Sequence, residues 1–217
     1  MTIITSVYVP EGIVMAADSR LTGWIQNESG TDRFTLSDNS QKLMLVREST
    51  VGVSFCGDAI IDGKTVADLI RVFDINLVNR ADTVKQISSK LKDFLYNYYP
   101  ESEVAFIVAG FDNDEPYVFT VDKMTCNRCN VVDTGELYSG AFWNGELLPV
   151  QKILEDTVIN FDFMPLKDAV DLAEFIVELT IKYERFADKI PTCGGPIDIL
   201  VITKDYTQFY RHKTLKP

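Results

Sequence analysis

The chain opens Met1-Thr2, and removal of Met1 would leave a threonine whose hydroxyl and free α-amino group belong to one residue. A threonine hydroxyl is a weak nucleophile until a base takes its proton, and an α-amine with a pKa of about 8 can be that base near neutral pH. Only a chain-terminal threonine carries both groups, and a small second residue permits loss of the initiator methionine in the cytoplasm. The chemistry this would support is acyl transfer at an amide carbonyl. Many chains begin Met-Thr for no catalytic reason, so Thr2 needs partners elsewhere in the sequence.

The other chemically capable residues point to less. Cys126 and Cys129 form a C-x-x-C, but zinc needs four ligands, a second such pair is missing, and His212 is the sole histidine. Lys123, Asn127, Arg128 and Asn130 around them read as a hairpin connection, not as the strand-to-helix start that a redox pair occupies. The four cysteines are therefore expected to be thiols in a reducing compartment, with no metal and no organic cofactor.

The elements that must position Thr2 follow from periodicity. β-branched runs at 2–9 and 13–17, separated by Pro10-Glu11-Gly12, predict an N-terminal hairpin. The polar stretch 27–40 predicts a long loop or irregular ribbon, followed by strands at 42–46 and 51–55. Val66, Leu69, Ile70, Phe73 and Leu77, then Val84, Ile87, Leu91, Phe94 and Leu95, recur at helical spacing, with Asp82 placed to cap the second helix. Strands are expected at 104–110 and 117–121, with 130–138 continuing the sheet. A short helix near Pro149 and a long one over 166–186 come next, the latter with a stripe of Leu172, Phe175, Ile176, Leu179 and Tyr183. Segments 197–203 and 207–211 close the chain as a hairpin. Helices arriving in pairs between groups of strands argue for an α+β fold, a four-layer αββα sandwich of two antiparallel sheets between helix layers, as one domain over 1–217.

Thr2-Ile3-Ile4 followed by Gly12-Ile13-Val14-Met15-Ala16-Ala17-Asp18-Ser19-Arg20 resembles the opening of a proteasome β subunit, an N-terminal nucleophile hydrolase, with the same sixteen-residue step from threonine to aspartate. The resemblance implies that Asp18 orients a lysine beside the threonine hydroxyl; an ordinary turn cap is the alternative for an aspartate at a strand end. Lys42, leading Leu43-Met44-Leu45-Val46, fits that lysine, although it lies forty residues after Thr2, about eight beyond the family spacing. Arg33 competes by count, but a strand holds a charge more rigidly than a loop does. Gly57, closing Val51-Gly52-Val53-Ser54-Phe55-Cys56-Gly57, matches the glycine whose backbone N–H is the oxyanion donor, or merely turns strand into helix. Cys56 can tune a specificity pocket there. Tyr138-Ser139-Gly140 takes the place of the family Ser-Gly, making Ser139 a helper of the terminal amine. The resemblance covers most of the chain and departs late. Cys193 of Cys193-Gly194-Gly195-Pro196 stands where the family has serine, Ile190 stands where it has aspartate, and Asp188 is nearby but out of register.

The resemblance implies a threonine-type peptidase or amidase acting on peptide or amide substrates, a homo-oligomer, and an ATPase companion as an open option. A catalytically silent scaffold subunit is the alternative. With a net charge of −11, the chain repels phosphate backbones, so nucleic-acid binding is not expected, and the basic run over 211–216 reads as a solvated tail. No apolar run reaches the roughly 18 residues of a membrane span, and no basic-then-apolar leader opens the sequence, so a soluble cytoplasmic protein is expected.

Overall fold

The computed structural model describes residues 2–27 and 30–214. In chain order the strands before the first helix are β1 (Ile3–Val9), β2 (Gly12–Ala17), β3 (Leu21–Asn27), β4 (Gly30–Ser37), β5 (Leu43–Val46), β6 (Val51–Gly57), β7 (Ile60–Ile61) and β8 (Lys64–Thr65). Helices α1 (Val66–Leu77) and α2 (Val84–Tyr98) follow, then β9 (Val104–Asp112), β10 (Glu115–Val121), β11 (Cys126–Arg128) and β12 (Gly140–Gly145). The chain ends with α3 (Leu148–Leu154), a short 3-10 turn, α4 (Leu166–Phe186), β13 (Asp198–Ile202) and β14 (Thr207–Arg211). It is a mixed α+β fold built on two five-stranded antiparallel sheets, ordered β12-β1-β2-β13-β14 and β11-β10-β9-β6-β5.

β1 and β2 are buried along their whole length, which explains why both faces are mostly apolar, with Thr5 and Ser6 of β1 the exceptions. Ile3, Val7 and Val9 pack with Val170, Ala173, Ile176 and Val177 of α4 and with Val150 of α3. Ile4 and Tyr8 of β1, with Ile13 and Met15 of β2, instead meet Leu43, Ile107, Ala109 and Val118 of the other sheet. A third cluster unites α1 and α2, through Phe73, Ile87 and Leu91, with Val53, Phe55, Phe106 and Val108. Side chains alternate across a strand, so each sheet serves two of these clusters.

Several expectations change in detail. Within the 27–40 stretch, Gly30–Ser37 is a strand of an exposed antiparallel hairpin, β3 against β4, with Trp24 opposite Arg33, and residues 28 and 29 lie outside the described residues. α2 is capped by Thr83, whose side chain accepts from Gln86 N at 3.2 Å in a reciprocal capping box. Asp82 instead accepts from Asn79 N and pairs with Lys90 at 2.6 Å. Segment 130–138 contributes only the bridge Val131 to Leu137; the sheets continue in β11 and β12. In α4 the buried face is Ala169, Val170, Ala173, Ile176, Val177, Thr180 and Glu184, because small residues let the helix approach β1 and β2 closely. Phe175 and Tyr183 of the expected stripe are exposed. Among the described residues no helix is long and apolar enough to cross a membrane.

Candidate active site

Thr2 precedes β1 and is only 3% exposed; its carbonyl accepts from Glu146 N at 2.9 Å. β1 lies between β2 and β12, so the residue before it is held by strands on both sides. Gly145, opposite Ile3, has φ +108°, and a Cβ there would overlap the Thr2 carbonyl oxygen. Glycine is thus required for so close an approach.

Asp18 follows β2 and is fully buried, as is Lys42 at 1% exposure. Their charges meet at 2.8 Å between Lys42 Nζ and Asp18 Oδ1. The same oxygen accepts from Ile3 N at 3.2 Å, so the lysine ammonium and the amide following Thr2 share one acceptor atom. Oδ2 accepts from Arg20 N at 3.2 Å and Gly194 N at 3.0 Å. A carboxylate buried without such donors would carry the full cost of lost hydration. Arg20 clamps the neighbourhood through a bidentate pair with Asp38, and the Arg20 hydrogen bond is what chiefly holds the Asp38 carboxyl below the usual carboxylate range. Lys42 is therefore the cation at Asp18, while Arg33 is exposed on β4.

Gly57 ends β6 at φ +101°, where a Cβ would overlap the Glu103 carbonyl oxygen. In the β6–β9 register Gly57 faces Val104, and Asp58 N donates to Glu103 O at 2.9 Å. Successive N–H groups of a strand alternate in direction, so Gly57 N–H points to the same edge as Phe55 N–H, which donates to Lys42 O at 3.2 Å. Gly57 and Thr2 line one cavity of about 880 Å³. Leu21, Trp24 and Leu36 of the exposed hairpin form one side of it, and Asp58, Glu103 and Asp122 line another part. Cys56 also lines this cavity; burial, opposed by Lys42, pushes its thiol up to about 12.

Four of the five expected residues thus belong to one neighbourhood, and Ser139 does not. It immediately precedes Gly140, which pairs with Tyr8 at the far end of β1 from Thr2. The intervening register, Gly140 opposite Tyr8 to Gly145 opposite Ile3, separates them by five residues of extended strand, about 17 Å. The residues beside Thr2 are Asn144, Gly145 and Glu146, and the short Ser-Gly pattern had matched the wrong end of the strand. Asp188 is exposed. The carboxylate that reaches Thr192 and Cys193 is Glu184, which accepts from Thr192 N at 2.7 Å and Cys193 N at 2.6 Å, while Gly194 N of the same loop donates to Asp18. Met1, on which the terminal amine depends, lies outside the described residues.

The C-x-x-C pair lies on and just after β11, where positions three apart face opposite sides. Cys126 packs against the α1–α2 cluster and Cys129 against the cluster shared by the two sheets. Both are free thiols that burial pushes up, and they do not converge on one site.

No family model matches the chain, and no curated protein matches it. Among solved structures it is similar to a Gly-1 mutant of Anbu from Hyphomicrobium sp. strain MC1, a bacterial proteasome-like protein, with a TM-score of 0.68. The chain has a proteasome-like fold. The likeness spans 98% of this chain and 86% of the Anbu chain at 19% identity. Fold correspondence over this length with so few identical residues means that the chemistry must be argued from Thr2, Asp18 and Lys42 themselves.

Proposed function

We propose that this chain is an N-terminal threonine hydrolase of peptides or amides, with Thr2 as nucleophile and its α-amine as base once Met1 is removed, on a four-layer αββα frame. The observation that carries this reading is the buried Asp18–Lys42 pair sharing Asp18 Oδ1 with Ile3 N, directly beside a cavity-lining Thr2. A fixed cation there favours loss of the proton from hydroxyl and amine alike. The Thr2 amine takes the hydroxyl proton as the oxygen attacks the substrate carbonyl, the Gly57 N–H faces the developing oxyanion, and the proton passes to the leaving amine. Water then enters by the same base and releases the acyl group.

Gly57 supports the reading through its backbone direction and the absence of a side chain where Glu103 approaches. The layering is supported by three separate core clusters, helix to sheet, sheet to sheet and sheet to helix. The test is hydrolysis of fluorogenic peptide amides, with the intact mass of the same sample measured alongside. Material lacking Met1 should be active, and Thr2→Ala should be inactive. Undiminished hydrolysis by Thr2→Ala refutes the assignment.

A catalytically silent scaffold is the second reading, favoured by Ser139 lying at the far end of β1 from Thr2. Retention of Met1 in the native host would decide for it, because a peptide nitrogen cannot be the base.

A further inference from the structure

We propose that Glu184 and Lys189 are positioning residues for the reaction at Thr2, holding Thr2 and Asp18 through two converging routes; the proposal rests on the threonine-hydrolase reading above. Glu184 is the one charged residue on the buried face of α4 and has no exposed side-chain surface. Its Oε2 accepts from Thr192 N and Cys193 N, and the Thr192 hydroxyl donates to its Oε1 at 2.9 Å. Two residues beyond Thr192, Gly194 N donates to Asp18 Oδ2, and Gly194 O accepts from Ser19 N at 2.9 Å. That is the first route. Along the second, Lys189 Nζ bridges Glu184 Oε1 at 2.9 Å and Glu146 Oε2 at 3.2 Å, and Glu146 N holds the Thr2 carbonyl.

This acid sits where stability alone would not put it. It is in the last turn of α4, where the helix dipole disfavours negative charge, and it is buried, where an apolar side chain would pack as well without desolvation. A local rule broken inside a core marks a functional constraint when the broken rule points at a site. Here both hydrogen-bond routes from the carboxylate end within one bond of Thr2 or of its neighbour Ile3. Burial alone would push the Glu184 carboxyl up, but Lys189 and the N–H groups of Cys193 and Thr192 outweigh it and hold the group below the ordinary range. Burial opposes the Lys189 charge, but Glu184 and Glu146 outweigh it and push the ammonium pKa up, so near neutral pH the pair is a carboxylate and an ammonium, which suits a fixed charge frame and not a proton donor.

The experiment compares Lys189→Met, Lys189→Arg and Glu184→Gln with the parent protein on one fluorogenic peptide amide, with Thr2→Ala as control and melting temperatures measured throughout. Lys189 is partly exposed, so Lys189→Met opens no core cavity and Lys189→Arg keeps the charge, while the glutamine keeps an oxygen for the loop N–H groups. Displacement of Thr2 by a fraction of an ångström should lower kcat about tenfold in Lys189→Met and in Glu184→Gln with KM within about twofold, and Lys189→Arg should recover most of it. Some fall in melting temperature is expected because the ion pair contributes stability; unchanged kcat in both variants overturns the proposal, and so does a kcat loss that disappears when every variant is assayed well below its melting temperature, which is what a merely structural role gives. If Thr2→Ala is as active as the parent, the threonine reading itself has failed and this proposal goes with it; if only the positioning variants are silent, the threonine reading stands.

Discussion

Substitution of the buried pair offers a sharp separation of chemistry from stability. Lys42 and Asp18 are 2.8 Å apart with almost no solvent access. At an effective dielectric of about 20 their attraction is about 6 kcal/mol before desolvation is subtracted. Removing one partner strands the other charge in the core, and such changes cost about 3–5 kcal/mol. Lys42→Met leaves Asp18 with three backbone donors, Ile3 N, Arg20 N and Gly194 N, whereas Asp18→Asn takes from the ammonium the carboxylate it touches and turns an amide NH2 toward at least one of those N–H groups. The double variant buries neither charge and loses one or two hydrogen bonds worth about 1 kcal/mol each, so it should be more stable than either single variant. Urea unfolding of all four proteins forms a double-mutant cycle in which the loss in the double variant should fall short of the summed losses by at least about 2 kcal/mol. Peptide hydrolysis should vanish in all three variants. Additive losses would refute the electrostatic account, and hydrolysis surviving in the stable double variant would refute the role of the cation.

Three further outcomes follow from the geometry. Gly145→Ala and Gly57→Ala force a side chain onto the Thr2 and Glu103 carbonyls at positive φ, so each should cost about 1–3 kcal/mol in unfolding and lower turnover about 100-fold; an active, equally stable Gly145→Ala would contradict the close approach. With the Cys56 thiol at about 12, roughly one molecule in 10⁴ is thiolate at pH 8, so peptide mapping after iodoacetamide treatment of the native protein should find Cys126 modified well before Cys56; rapid modification of Cys56 would refute its burial. Glu184 and Asp38 are both held below their unfolded values of about 4.3 and 3.9, so the stability they contribute is present above those values and is lost as pH falls through the folded ones. Urea midpoints should therefore decline below about pH 4, and less steeply in Glu184→Gln; an identical pH slope in that variant would argue against the paired carboxylate.

What could be read from the sequence was whatever short-range pattern fixes. The sixteen-residue step from Thr2 to Asp18 spans one tight hairpin, so it brings Asp18 to Ile3, the neighbour of Thr2. The bounds of α4, 166–186, followed from periodicity, but its face did not. Ala169, Ala173 and Thr180 carry little hydrophobic signal, and close packing on β1 selected them over Phe175 and Tyr183. Glu184 was hidden for the same reason: a glutamate in a polar-looking helical turn reads as solvated until the fold buries it. The hairpin of β3 and β4 was missed because both faces of β4 are exposed, so burial imposes no alternation on its sequence. Ser139 went wrong because a dipeptide match carries no register, and the pairing of β12 with β1 is a contact between residues more than 130 positions apart.

The place of β1 within its sheet also bears on heating. Chain ends ordinarily loosen first, and an enzyme that depends on one should lose activity on warming before its body melts. Here the terminal strand is flanked by β12 and β2 and buried along its length, so loosening Thr2 requires breaking the sheet itself. Thermal inactivation and loss of secondary structure should then coincide, and the working temperature of such a chemistry would be bounded by the interior of the molecule and not by its tip.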